Sequence, residues 1–249
     1  MRSNALQDLN MAGVRWEIAE TPVKQDIKKS PVQQNFKETT NRTDNKTVVI
    51  PPAAPLTLET VKSMVCRPND IQSLVRMVGE FNHPLRSGVT NVVLPNIANT
   101  PNGLLIVTDI PSTDDDLSGK ILSGNAGEMI DKMLSAINMN RDQVYIVPLV
   151  FWRTPGGRTP TREELDLTRP FLDKMLDMIK PRIILTLGTL AATEIGQTNL
   201  TSMHGTEIQT DKGYSVVPIY HPNYLILKPS AKRDVWSALQ NVEKMLKNA

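Results

Sequence analysis

Three stretches of this chain carry side chains that could do chemistry. The first is TDIPSTDDD, over 108–116, where Asp109 ends an apolar run and Asp114, Asp115 and Asp116 follow. A carboxylate there could orient a water or bind a metal. Position alone favours a plainer reading, in which Asp109 caps a turn and the triplet is a solvated loop. A magnesium site would need substrate oxygens or a second carboxylate cluster, and no such cluster is visible. The second stretch, FWRTPGGRTPTREE over 151–164, joins aromatic rings, the pair Gly156-Gly157 and the arginines Arg153, Arg158 and Arg162. Glycine amides and guanidinium groups suit an anion such as a phosphate. A capping box accounts for Thr161 and Glu164 but not for the Arg and Gly before them. The third stretch, YHPNYLILKPSAKR over 220–233, sets His221 before an apolar tip, Tyr224 to Leu227, with Lys228, Lys232 and Arg233 behind it. A lone histidine is more often structural than catalytic. An apolar tip beside cations is rarer, and it suits a protein that wedges into duplex DNA while gripping phosphates.

The surrounding pattern says what must position these residues. Apolar spacing predicts helices over 56–65, with Thr57 as N-cap, and over 71–81. Strands and helices then alternate: strand 104–108, helix 126–137, strand 144–151, helix 162–179, strand 182–188, helix 189–196, strand 214–220 and helix 231–248. Continuous apolar strands between helices mean a parallel sheet covered on both faces. The expected fold is therefore α/β, a three-layer α/β/α sandwich around a central four-stranded parallel sheet. Ligands in such sheets sit beyond the carboxyl ends of the strands. All three stretches lie at such ends.

Composition narrows the classes without choosing one. The formal net charge of +2 neither demands nor excludes a nucleic-acid partner. A single cysteine, Cys66, excludes an internal disulfide framework and any cage built from cysteines alone. No apolar run reaches membrane-spanning length, and MRSNALQDLN lacks the apolar core of a signal peptide, so a cytoplasmic location is expected. Residues 1–20 have a short amphipathic character and could meet a protein partner. Residues 21–55 are rich in Lys, Gln, Asn, Thr and Pro and read as a flexible linker, leaving 56–249 as the folded domain. No small-molecule cofactor, metal or membrane is expected.

From Leu104 onward the chain resembles the uracil-DNA glycosylase superfamily, most nearly its bacterial iron–sulfur, thermophile-type members (family 4). The family motifs GEAPG and GRPFVGRAG stand in register with TDIPS (108–112) and GKILSGNAG (119–127). LLDKMLAAIGLDRDEVYI matches MIDKMLSAINMNRDQVYI (129–146), and RPPGNRTPTPEE matches RTPGGRTPTREE (153–164). PKVIVALGATAA matches PRIILTLGTLAA (181–192), HPAYLL matches HPNYLI (221–226), and AKRxxW matches Ala231, Lys232, Arg233 and Trp236. The resemblance implies hydrolysis of the N-glycosidic bond of a base flipped out of DNA. It makes Asp109 the water-positioning carboxylate and His221 the donor to the leaving base. It makes Ile110, Pro111, Leu122 and Pro148 the base pocket, and Arg153, Arg158, Asn223, Tyr224, Leu225, Lys228, Lys232 and Arg233 the DNA contacts.

Several residues depart from the family pattern. Asp109 stands for a glutamate, and Thr108 and Ser112 stand for the flanking glycines, which can crowd the pocket. Leu122 replaces the phenylalanine that stacks on the base, and Pro148 replaces an edge-reading asparagine. The four cluster cysteines correspond to Glu80, His83, Trp152 and Thr168. Two readings stand: a glycosylase that is slow or altered in specificity, and a non-catalytic relative that binds nucleic acid or a protein. A phosphate-binding module at Gly156-Gly157 ranks last, because no Gly-rich phosphate motif of the usual spacing is present.

Overall fold

The computed structural model describes residues 56–247, so the expectations for residues 1–20 and 21–55 lie outside the described residues. The apolar runs become β1 (Leu104–Thr108), β2 (Tyr145–Pro148), β3 (Ile183–Leu187) and β5 (Ser215–Ile219), with a two-residue β4 (Ile208–Gln209). The strands lie in the order β2-β1-β3-β5-β4; the first four are parallel, and β4 runs antiparallel to β5. The expected four parallel strands are thus present, and β4 extends them to five. Two residues between polar neighbours give no alternation to read, so β4 leaves no trace in the sequence pattern.

Alternate strand residues face opposite layers. Leu105 and Val107 pack with α1 (Leu58–Val65), α2 (Ile71–Glu80), α5 (Arg162–Ile179) and α6 (Thr189–Gly196). Leu104 and Ile106 pack with α4 (Gly124–Ser135), α8 (Pro222–Leu227) and α9 (Lys232–Lys247). This is the expected three-layer sandwich. Among the described residues no helix is long and apolar enough to cross a membrane.

Two short helices replace expected loops. Ser112 and Asp115 form a reciprocal capping box that opens α3 (Thr113–Ser118), with three aspartates in its first turn. Negative charge at a helix N-terminus meets unpaired amides, so the acidic run that reads as a loop starts a helix instead. Likewise His221 caps α8, and Pro222 occupies its first turn, where no amide is needed. The remaining short helix, α7 (Leu200–Met203), packs near β5. The capping box expected at Thr161 is present, with Glu164 Oε2 accepting from the Thr161 amide at 2.8 Å.

The strands end level with one another. Thr108 lies opposite Pro148 on one side and Leu187 on the other, and Leu187 lies opposite Ile219. Asp109, Gly188 and Tyr220 therefore leave the sheet along one rim.

Candidate active site

Asp109 is the first residue beyond β1. Its Oδ1 accepts from the Ala191 amide at 2.6 Å, across the rim at the start of α6. That helix opens at Gly188, which has no side chain to cap it, so the free amides take their acceptor from the neighbouring strand. Gly188 adopts φ +102, and a Cβ there would collide with the Asp109 carboxylate. Burial lifts the Asp109 carboxyl to about 6, while the amides of Ala191 and Leu190 pull it back part of the way. Asp109 does cap, but it caps α6 rather than its own turn. Gly188→Ala is expected to displace the carboxylate and strain the turn. Stability should fall by about 1–3 kcal/mol, read in a thermal melt, and any activity that depends on Asp109 should fall with it.

His221 approaches the same strand end from β5. Its Nδ1 accepts from the Asn223 amide at 3.2 Å, which leaves the proton of the neutral ring on Nε2. Nε2 donates to Thr108 Oγ1 at 3.1 Å. Burial depresses the ring to about 4, with the Asp115 carboxylate pulling weakly the other way. At neutral pH His221 is therefore an uncharged imidazole with one fixed donor. At the rim it offers a hydrogen bond, not a charge.

The wall opposite is held by acids that read as solvated in the sequence. Asp115 is buried and accepts from the amides of Ser112 at 2.9 Å and Ser123 at 2.6 Å, and from the Ser123 hydroxyl at 2.8 Å. Asp116, also buried, accepts from the amides of Thr90 at 2.8 Å and Asn91 at 3.0 Å. Only Asp114 of the triplet is exposed. Leu122 sits beside Ser123 in a left-handed conformation, φ 48, which a leucine rarely adopts. Arg141 pins it there, donating to the carbonyls of Ile121 at 2.9 Å and Leu122 at 2.7 Å. Pro111 and Pro148 are buried and Ile110 is half-buried. Register places Pro148 beside Thr108, on an edge strand where a missing amide is tolerated.

The basic and wedge residues sort differently from expectation. Arg158 grips Glu164 with both ends of its guanidinium, at 2.8 and 2.6 Å, so it latches the loop to α5 rather than standing ready for a phosphate. Arg162 pairs with Asp166 and Glu194. Arg153 is half-buried and makes no hydrogen bond or ion pair with any described residue. Phe151 and Trp152 are wholly buried. Leu225 is 1% exposed and belongs to the core, so it cannot be the tip of a wedge; Leu227, 84% exposed at the end of α8, is the residue that projects. Leu225 is the fourth residue of α8 from Pro222, on the helix face turned toward α4. Asn223, Lys228, Lys232 and Arg233 are exposed, and Tyr224 packs against Tyr220 with the ring centroids 4.7 Å apart and the rings tilted by 36°, Lys228 lying above the Tyr224 ring. Gly188, Ala191 and Arg141 escaped the sequence reading because their roles depend on contacts between distant segments.

The positions that the resemblance sets against cluster cysteines, Glu80, His83, Trp152 and Thr168, carry no thiol. His83 stacks on Trp152 at 4.6 Å with the rings 3° from parallel. His83 Nε2 lies 3.2 Å from the Glu164 carbonyl, Thr168 donates to the Leu165 carbonyl, and Glu80 is exposed. This donor set does not fit a four-thiolate iron–sulfur cluster.

The family model for the uracil DNA glycosylase superfamily matches residues 95–240. The chain is 31% identical over 164 residues to the type-4 uracil-DNA glycosylase of Archaeoglobus fulgidus, covering 61% of this chain and 81% of that protein. It is 32% identical over 146 residues to the type-4 uracil-DNA glycosylase of Thermotoga maritima, covering 57% and 76%. A third, from Sulfurisphaera tokodaii, is 29% identical over 140 residues, covering 52% and 64%.

Proposed function

The chain belongs to the uracil DNA glycosylase superfamily, and from that premise we propose that it hydrolyses the N-glycosidic bond of a uracil or damaged base turned out of DNA. The observation that carries this reading is the pairing at one rim of a desolvated carboxylate with a neutral, tautomer-fixed imidazole. Asp109 orients a water toward C1′ of the sugar and takes its proton as the water oxygen bonds to carbon. The C1′–N bond breaks, its electron pair leaves with the base, and negative charge gathers on a base carbonyl. The His221 donor stabilises that charge. A neutral donor suits the step, because an imidazolium would be neutralised by the leaving anion instead of remaining a fixed dipole.

The same pocket argues for slow turnover and loosened base selection. Leu122 offers no aromatic face, and stacking of a base on such a face contributes roughly 1–3 kcal/mol. Pro148 offers no side-chain hydrogen bond, so the discrimination that buried polar groups supply is missing there. One observation favours a second reading, a DNA-binding relative without catalysis: the His221 donor already has a partner in Thr108.

Release of free base from single- and double-stranded uracil-containing oligonucleotides decides between them. Release that disappears in Asp109→Asn supports the glycosylase, and binding without release supports the relative. DNA is expected to be held by Arg153, Asn223, Tyr224, Lys228, Lys232 and Arg233, with affinity that falls steeply with salt. Leu227 is expected to fill the gap left by the extruded base. Leu227→Ala should therefore lower release from duplex several-fold and leave release from single strands unchanged; an equal loss on both would remove the wedge role.

A further inference from the structure

We infer that Thr108 is a specificity-determining residue, its hydroxyl interposed between the His221 donor and the base. The inference rests on the glycosylase reading above and names how that site meets its substrate.

Three features lead to it. The His221 ring has a single proton to offer, because Nδ1 is held as an acceptor by the Asn223 amide, and that proton ends on Thr108 Oγ1. Thr108 cannot retreat with its backbone. It pairs with strands on both sides, its carbonyl accepts from the Leu149 amide at 3.0 Å, and it is 2% exposed. Rotation about χ1 is restricted by the branched β-carbon, so the hydroxyl stays in front of the ring. Finally, the hydroxyl's own proton has no acceptor among the described residues. A hydroxyl has two lone pairs and one proton. With one lone pair occupied by the ring, it retains a proton to give and a lone pair to receive.

The consequence is a change in what the site can recognise. An imidazole N–H can only donate, so it demands an acceptor on the base. A threonine hydroxyl backed by that imidazole can donate to a carbonyl or accept from an amino group. Polarisation by the ring strengthens the donation as charge builds on the leaving base. Thr108 thus passes on the effect of His221 while relaxing its selectivity.

Three variants test this, each first checked by thermal melt. Thr108→Ser keeps the hydroxyl and should release uracil at the wild-type rate. Thr108→Val places a methyl where the hydroxyl was and should lower kcat by about 100-fold, the scale of a lost charge-directed donor. Thr108→Gly opens direct contact with His221 and should raise release of uracil several-fold over the wild type. An NMR titration with free uracil and free isocytosine, which carries an amino group in place of the 2-carbonyl, reads selectivity without turnover. The wild type should bind the two alike, and the Gly variant should prefer uracil. Wild-type release in the Val variant, or a Gly variant as poor as the Val variant, would overturn this inference alone. No release from the wild type, Ser and Gly proteins alike would overturn the glycosylase reading with it.

Discussion

Asp109→Asn is expected to abolish base release and, at neutral pH, to make the protein more stable. The activity loss follows from chemistry: an amide cannot take a proton from water, and loss of such a base typically costs roughly 100- to 10,000-fold. The stability gain follows from burial. The Asp109 carboxyl is raised from 3.8 to about 6, so the folded chain binds its proton more tightly than the unfolded chain does. Its contribution to stability is therefore fully present below about pH 4 and is lost as pH rises through 6. At about 1.4 kcal/mol per pH unit of separation, the ionised carboxylate costs the fold about 3 kcal/mol at neutral pH. Asparagine avoids that cost and keeps an oxygen for the Ala191 amide, the contact that caps α6. The variant should melt several degrees above the wild type at neutral pH, and the gain should shrink to nothing near pH 4. A variant that melts lower at both pH values would mean that the carboxylate is there to hold the fold.

Such a trade explains why the sequence reads more clearly for fold than for site. The four parallel strands and the long helices declare themselves through runs of like residues. LLIVT needs no context to be a buried strand, and TREE before an apolar helix needs none to be a cap. Those signals are local, and the structure keeps them with bounds shifted by a few residues at most. The two missed helices around the site are local as well, but they open on residues that also favour turns. Ser112 and Asp115 close a box with an aspartate where a glutamate is the commoner partner. His221 caps with a ring nitrogen, a role not usually expected of histidine.

The site's remaining features are not local, and for that reason they were illegible. That Asp109 answers the amides of α6, 82 residues away, depends on β1 and β3 being neighbours. That Arg158 is a latch depends on Glu164 being turned back toward it by the capping box. Leu225 and Leu227 are indistinguishable as letters, and about half a turn of helix sends one to the core and the other to solvent. The resemblance names Asp109 and His221, and strand register sets both at one rim. It could not say that Thr108 would meet His221, since the family pattern has no side chain there.

His221 supplies the second large effect, and its pH dependence is opposite to that of Asp109. Burial depresses the ring to about 4, so it stays neutral wherever Asp109 titrates. Base release should rise with a single ionisation near pH 6, that of Asp109, and stay level through mildly alkaline pH. His221→Gln should lower the plateau roughly 100- to 1,000-fold and leave the midpoint where it was. In stability the two groups offset each other. The contribution of His221 is fully present above its ordinary 6.5 and is lost as pH falls through 4, whereas that of Asp109 is lost as pH rises. Between about pH 4 and 6 the two contributions therefore cancel in the wild type, and the other depressed groups, His83, His204 and Glu164, set its profile. His221→Gln removes one side of the balance, so relative to the wild type that variant should gain most near pH 4 and lose the gain as pH rises. Asp109→Asn removes the other and should weaken as pH falls. A wild-type base-release profile with a second step near pH 6.5 that vanishes in His221→Gln would show a ring titrating as it does in water, and the neutral-donor role would fail.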